Sequence, residues 1–194
     1  MNAWQMRSPG LKRPIALVRT FLAVAFLAAS AASTVSAFEL GSFFKRKQLD
    51  AREVSLNLGE AVRILSAYRG QHGAGPVTID AKLTRIAADH ALKMATADKV
   101  SHVVRGEGSF ARRLRTGDYD ASVASENIGG GYKNLDEAFA GWRDSPEHDK
   151  NMLRPDVTVI GIARADAVGS KYGTYWSLVL ARPYEGPQGP AAIR

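Results

Sequence analysis

Apolar residues recur at helical spacing in three stretches of the chain and switch to alternation near its end. Leu58, Ala61, Val62, Leu65 and Tyr68 follow Asn57 and Glu60 and precede the glycine-rich HGAGP, which predicts a first helix. Asp80 is placed to cap a second, in which Leu83, Ile86, Ala87, His90, Ala91 and Met94 form one stripe ending near Lys99. A short helix is expected at residues 110–114. Leu135, Ala138, Phe139 and Trp142 define a third long pattern, which Pro146 must stop or restart because proline inside a helix loses a hydrogen bond and clashes. With Ser145 as cap and Pro146 in the first helical position, a short helix follows to about Leu153. Residues 157–163 and 172–180 then alternate and are rich in valine and aromatics, predicting two strands joined as a hairpin around Gly169 and Gly173. Ser125, Glu126, Asn127, Ile128 and the triple glycine after them read as loop. Helices first and paired strands last indicate a mixed α and β domain with an antiparallel sheet.

The N-terminal segment has a different character. Arg7, Lys12, Arg13 and Arg19 precede an uncharged run over residues 20–38, and Val35, Ser36 and Ala37 place small side chains where a signal peptidase needs them. The pattern predicts a cleavable signal peptide over residues 1–37. An uncharged run of this length also approaches the roughly 20 residues of a membrane-spanning helix, but its second half is rich in serine, threonine and alanine. The expected organisation is a leader or linker over 38–55, one domain over 56–185 and a flexible tail over 186–194. The mature protein is expected to be secreted or periplasmic, to act as a monomer, and to meet a membrane only through the signal peptide.

Charge and cysteine content narrow the picture further. The net charge of +7 falls to +3 (22 minus 19) once the four basic residues of the signal segment are set aside, so nucleic acid is not an expected partner. There is no cysteine, hence no lipid-modified cysteine, no disulfide and no thiol nucleophile. The fold must rest on its core, for which Leu65, Ile86, Met94, Phe139, Trp142, Ile160, Trp176 and Leu178 are the candidates. Each contributes about 1.5–3 kcal/mol on full burial.

The chain has no GxSxG elbow, HExxH, Walker lysine motif or dinucleotide fingerprint. Candidate chemistry therefore falls to four histidines. His72 sits at a helix end, where interaction with the helix C-terminus accounts for it. His90 lies on the apolar stripe of the second helix and reads as a core residue. His102 and His148 stand in polar company beside helix ends, as does Glu126. Two imidazoles and a carboxylate suit either a divalent metal with an open water position or a hydrogen-bonded acid and base group.

Several words of the sequence resemble a known family. Ser101–His102, ENIGGGY from Glu126 and WRDSPEHDKNML from Trp142 are similar to bacterial CAP (SCP-like) domains, relatives of cysteine-rich secretory proteins, antigen 5 and pathogenesis-related proteins. AADHALKMA from Ala87, FARRLRTGDY from Phe110 and VIGIARA ending at Ala165 add to the likeness, which covers residues 58–183. The resemblance implies an α+β fold, a three-layer α-β-α sandwich with a central antiparallel sheet and an open cleft, and sets His102, Glu126 and His148 in that cleft. Animal and plant members add a glutamate where this chain has Ser145. Bacterial members read SPGH where this chain has SPEH, so Glu147 is an added acid, read chiefly as surface charge in a helix first turn.

By the same resemblance, the protein is expected to be an exported binding module whose cleft holds a divalent metal, zinc first, and takes a small apolar ligand or a cell-envelope component. Two alternatives stay open. The same cleft could serve a metal-dependent hydrolase, with Glu147 as the base, or the His and Glu residues could hold the cleft by hydrogen bonds alone.

Overall fold

A computed structural model describes residues 49–186. The predicted signal peptide, most of the predicted leader and the last eight residues lie outside the described residues.

The helices form where caps and apolar stripes coincide. Asn57 accepts a hydrogen bond from the Glu60 backbone N–H (3.1 Å) at the start of α1, Leu58–Gln71. Asp80 does the same for Leu83 (2.9 Å) at the start of α2, Ala81–Ala97, which closes at Asp98 in the left-handed conformation. After α3, Phe110–Thr116, and the strand described below, Asn134 caps α4, Leu135–Arg143. Ser145 precedes α5, Pro146–Met152, but its hydroxyl makes no capping bond; proline in the first turn removes one orphan donor instead.

The sheet is built on the hairpin of β4, Val159–Ala167, and β5, Thr174–Pro183. Beyond β5 lies β3, Ala121–Gly130, antiparallel to it with Glu126 opposite Val179. On the far side of β4 lie β1, Ala51–Val54, antiparallel, and the two-residue β2, Thr78–Ile79, parallel. Two expectations are corrected here. The stretch read as loop around Glu126 is a ten-residue strand, and the fold begins before residue 56, because Ala51–Val54 pairs with Arg164–Ala167. Neither strand carries an apolar alternation, so neither has a period to read.

Alternation along β4 and β5 sorts the core into two layers. Ile160, Ile162, Trp176, Leu178 and Leu180 meet Leu65, Phe139, Trp142 and Met152 of α1, α4 and α5 on one face. Ala163, Val179 and Ala181 meet Leu83, Ile86 and Ala87 of α2 on the other, and Ala165 and Tyr175 meet Ala91 and Met94 farther along. The result is the three-layer α-β-α sandwich. Positions 161, 163, 165 and 167 of β4 are all glycine or alanine, which lets α2 lie close against the strand. All eight core candidates are buried. Among the described residues, no helix is long and apolar enough to cross a membrane.

Candidate functional site

The site forms at the edge strand β3, where two successive residues reach to opposite sides of the sheet. Glu126 points toward the α2 layer and Asn127 toward α5. The Glu126 side chain is 2% exposed, and both of its oxygens are engaged. Oε1 accepts from Arg113 of α3 at 2.5 Å and from the Ser177 hydroxyl of β5 at 3.5 Å. Oε2 lies 2.8 Å from Nδ1 of His102, on the loop after α2, and 3.8 Å from Nε2 of His90. Arg113 also donates to the His102 carbonyl (2.8 Å), fixing the loop as well as the carboxylate.

His90 is buried as expected of a core position, yet its surroundings are charged. Its Nδ1 stands 2.8 Å from Glu107 Oε2 while its Nε2 has no hydrogen-bond partner. The same cluster holds a second loose contact: Arg113 Nε and Glu107 Oε1 are 3.7 Å apart, and neither makes a hydrogen bond.

On the other side, Asn127 donates to the His148 carbonyl (2.9 Å) and accepts from Asn151 (2.9 Å), which holds α5 against β3. The Tyr68 hydroxyl of α1 donates to Asp149 of α5 (2.6 Å). Burial, helped by that bond, pushes the Tyr68 phenol up to about 12. Burial also moves His148 below the usual histidine range, and the nearby His102 adds to the shift, so the two imidazoles lie within each other's electrostatic reach.

For Glu126, burial is the largest influence and raises its pKa. The His102 hydrogen bond, His90 and Arg113 together outweigh it and hold the carboxyl below the ordinary range.

Of the five residues singled out in the sequence, His102 and Glu126 are joined directly. His148 approaches from the opposite layer through Asn127. Ser145 is half-buried at the start of α5, and Glu147 is exposed on its first turn. His72, outside the site, places Nδ1 2.8 Å from the Tyr68 carbonyl in the last turn of α1. Sequence reading missed Arg113, Glu107, Asn127 and Asn151. Arg113 alone left a trace: it stands beside Leu114 and three residues after Phe110, on the side of α3 that a helical period buries.

The donor chemistry suits a metal held by imidazoles. His102 uses Nδ1 on a buried carboxylate and leaves Nε2 toward solvent, with its side chain 55% exposed, an arrangement that orients an imidazole for ligation. With both oxygens occupied, Glu126 suits the role of orienting carboxylate rather than ligand. Among the described residues, no three His, Asp or Glu side chains converge as a metal-holding group.

The family of cysteine-rich secretory proteins, CAP, matches residues 62–180, and the chain belongs to it. Over 131 residues it is 30% identical to YlbC, an uncharacterized membrane protein of Bacillus subtilis, covering 68% of this chain and 35% of that protein. Over 118 residues it is 27% identical to YkwD of the same organism, covering 61% of this chain and 44% of YkwD. The chain thus spans less than half the length of these curated relatives.

Among solved structures, an extracellular SCP-domain protein of Bacillus anthracis superposes with a TM-score of 0.57 at 23% identity, over 65% of this chain and 40% of that one. An outer surface protein of Borrelia burgdorferi gives 0.59 at 17%, over 69% and 99%. At these identities the likeness is one of fold.

Proposed function

We propose that this CAP domain is an exported binding module, secreted or periplasmic, whose cleft holds one divalent metal through His102 and His148 and takes a small apolar ligand or an envelope component. The observation that carries the metal reading is the His102–Glu126 pair. A buried carboxylate, itself fixed by Arg113, holds one imidazole nitrogen and presents the other to solvent. His148 is the second donor, and its depressed pKa favours the neutral form that ligates. Zinc suits imidazole donors, and a bound ion would supply a Lewis acid with a water of lowered pKa. Export is supported by the N-terminal pattern of residues 1–37 and by the extracellular and outer-surface descriptions of two fold relatives.

Zinc titration of the full chain by calorimetry tests the metal reading. One ion per chain is expected, with His102→Ala and His148→Ala each losing it and Glu126→Gln weakening it about 10- to 100-fold. No zinc binding, or binding indifferent to both histidines, overturns it. Zinc-dependent turnover of peptide, ester or peptidoglycan substrates that disappears in His148→Ala would make the protein a hydrolase instead. Expression of the full chain in a bacterial host should release a protein beginning at Phe38 outside the cytoplasm; retention of the intact chain inside would refute export.

A further inference from the structure

Charge is spread unevenly over the domain. Of the 26 basic and 19 acidic residues, eight and one lie outside residues 49–186, which leaves 18 of each and no net charge. Residues 102–116, the loop from His102 together with α3, hold four basic residues and one acid, or +3, so the rest of the domain carries −3 (14 minus 17). Within that segment the acid is spent, because Glu107 lies against His90 with its side chain 8% exposed. Arg113 is likewise spent on Glu126 and on the His102 carbonyl. What reaches the surface is Arg105, Arg112 and Arg115. All three are exposed, and among the described residues none of them forms an ion pair.

Local structure gathers them at one corner. Burial of Arg113 and Leu114 turns the opposite side of α3 outward, where Arg112 and Arg115 are neighbours at i,i+3. The Arg112 side chain lies along Gly108, on whose missing Cβ its methylenes would fall. Arg105 stands at the corner of the turn that the Glu107 N–H closes on the Val104 carbonyl (3.1 Å). Acids on the neighbouring elements are balanced: Asp118 pairs with Lys82 (2.8 Å), and Asp89 of α2 stands one turn before Lys93.

Unpaired cations held together attract a multivalent anion. Arginine fills all three places, and its planar fork suits phosphate, to which it donates two parallel bonds. A bilayer would need apolar side chains to enter it. Here Phe110 is half-buried against the Arg113 guanidinium, and Val103 is the one large apolar side chain of the segment that is exposed.

We propose that residues 102–116 form a docking surface for a phosphate-bearing polymer of the cell envelope, held by Arg105, Arg112 and Arg115. The envelope as its source rests on the export proposed above. The surface begins at His102 and so borders the cleft, but it needs no metal.

Binding of the full chain to sodium polyphosphate is measured by calorimetry in the presence of EDTA. The variant carrying Arg105→Gln, Arg112→Gln and Arg115→Gln should bind about tenfold or more weakly, with the slope of log affinity against log salt reduced by about 2–3. A control that removes the same charge elsewhere, Arg52→Gln with Lys133→Gln and Lys150→Gln, should lose less than about threefold. The basic residues before Leu49 are common to all variants and cancel from the comparison. The three side chains are exposed, so the urea midpoint should not move; if it does, the single variants replace the triple, each expected to lose about two- to fourfold. Polyglutamate of matched length should bind more weakly than polyphosphate. Equal losses in the two triple variants, or equal affinity for the two polymers, overturn the proposal. So does an oligonucleotide that binds more tightly than polyphosphate, or phosphatidylglycerol vesicles that distinguish the parent from the arginine variant when polyphosphate does not. Export is read from where the chain ends up and docking from these affinities, so the two proposals fail separately.

Discussion

Arg113 and Glu126 form an ion pair at 2.5 Å with both side chains almost wholly buried, one on α3 and the other on the edge strand β3. Removing one member of such a pair leaves the other charged in a low-dielectric interior, which costs about 3–5 kcal/mol. Arg113→Ala should therefore lower the unfolding free energy by about that amount in urea denaturation. In a Glu126→Gln background the same change should cost less, because the Glu126 carboxylate is no longer there to be stranded and only the looser contact to Glu107 is lost. Equal costs in both backgrounds would mean that the pair is not coupled.

Glu126 also predicts how stability responds to acid. The groups facing it are His102 from the loop, His90 of α2, Arg113 of α3 with Glu107 beyond, and Ser177 of β5. Against the burial that raises it, His102, His90 and Arg113 hold its folded pKa below the ordinary glutamate value of about 4.3. Its contribution is therefore fully present above that value and is lost as pH falls through the folded pKa. Urea midpoints measured from pH 7 to 3 should drop in this acid window, and Glu126→Gln should flatten that part of the slope. An unchanged slope would place the acid sensitivity elsewhere.

Arg69 is the structural counterpart on the α5 side. Fully buried, it donates to the carbonyls of Gly75 (2.6 Å), Met152 (2.6 Å), Arg154 (2.9 Å) and Val157 (2.9 Å), tying α1 to the C-terminal end of α5 and the chain beyond. Arg69→Leu keeps much of the volume and strands four acceptors, of which each buried one costs about 1–3 kcal/mol. The expected loss is at least about 3 kcal/mol by thermal or urea unfolding. Because α5 carries His148, zinc affinity should fall with it.

Gly161 marks the closest approach of β4 to α2. A Cβ there would fall on the backbone of Leu83 and Thr84, which cannot swing aside as a side chain would. Gly161→Ala should destabilise the domain by about 3 kcal/mol or more, the upper end of overpacking costs, or prevent folding. A variant as stable as the parent would show that α2 can lift off the sheet at little cost.

Local features of the chain determine most of the frame. Asn57 and Asp80 cap helices because their side chains reach backbone N–H groups three residues on, and Pro146 restarts the chain into α5 because it lacks an N–H to lose. The alternation of residues 157–163 and 172–180 predicts the two strands of the hairpin, and the apolar stripes name the core. The family words likewise pointed to His102, Glu126 and His148.

Tertiary structure alone decided the rest. β3 escaped a sequence reading because its two faces carry Glu126 and Asn127 among glycine and serine, with no apolar period. It is a strand because β5 pairs with it along its length and Trp142 donates to its Ile128 carbonyl at 3.1 Å. His90 looked like a core residue by spacing, and it is buried. That it stands between Glu107 and Glu126, and that Arg113 secures the carboxylate His102 meets, depend on contacts 13 to 36 residues apart. A short-range pattern records which side of an element avoids water. It does not record which charged group waits on the other side, and here that partner makes the site.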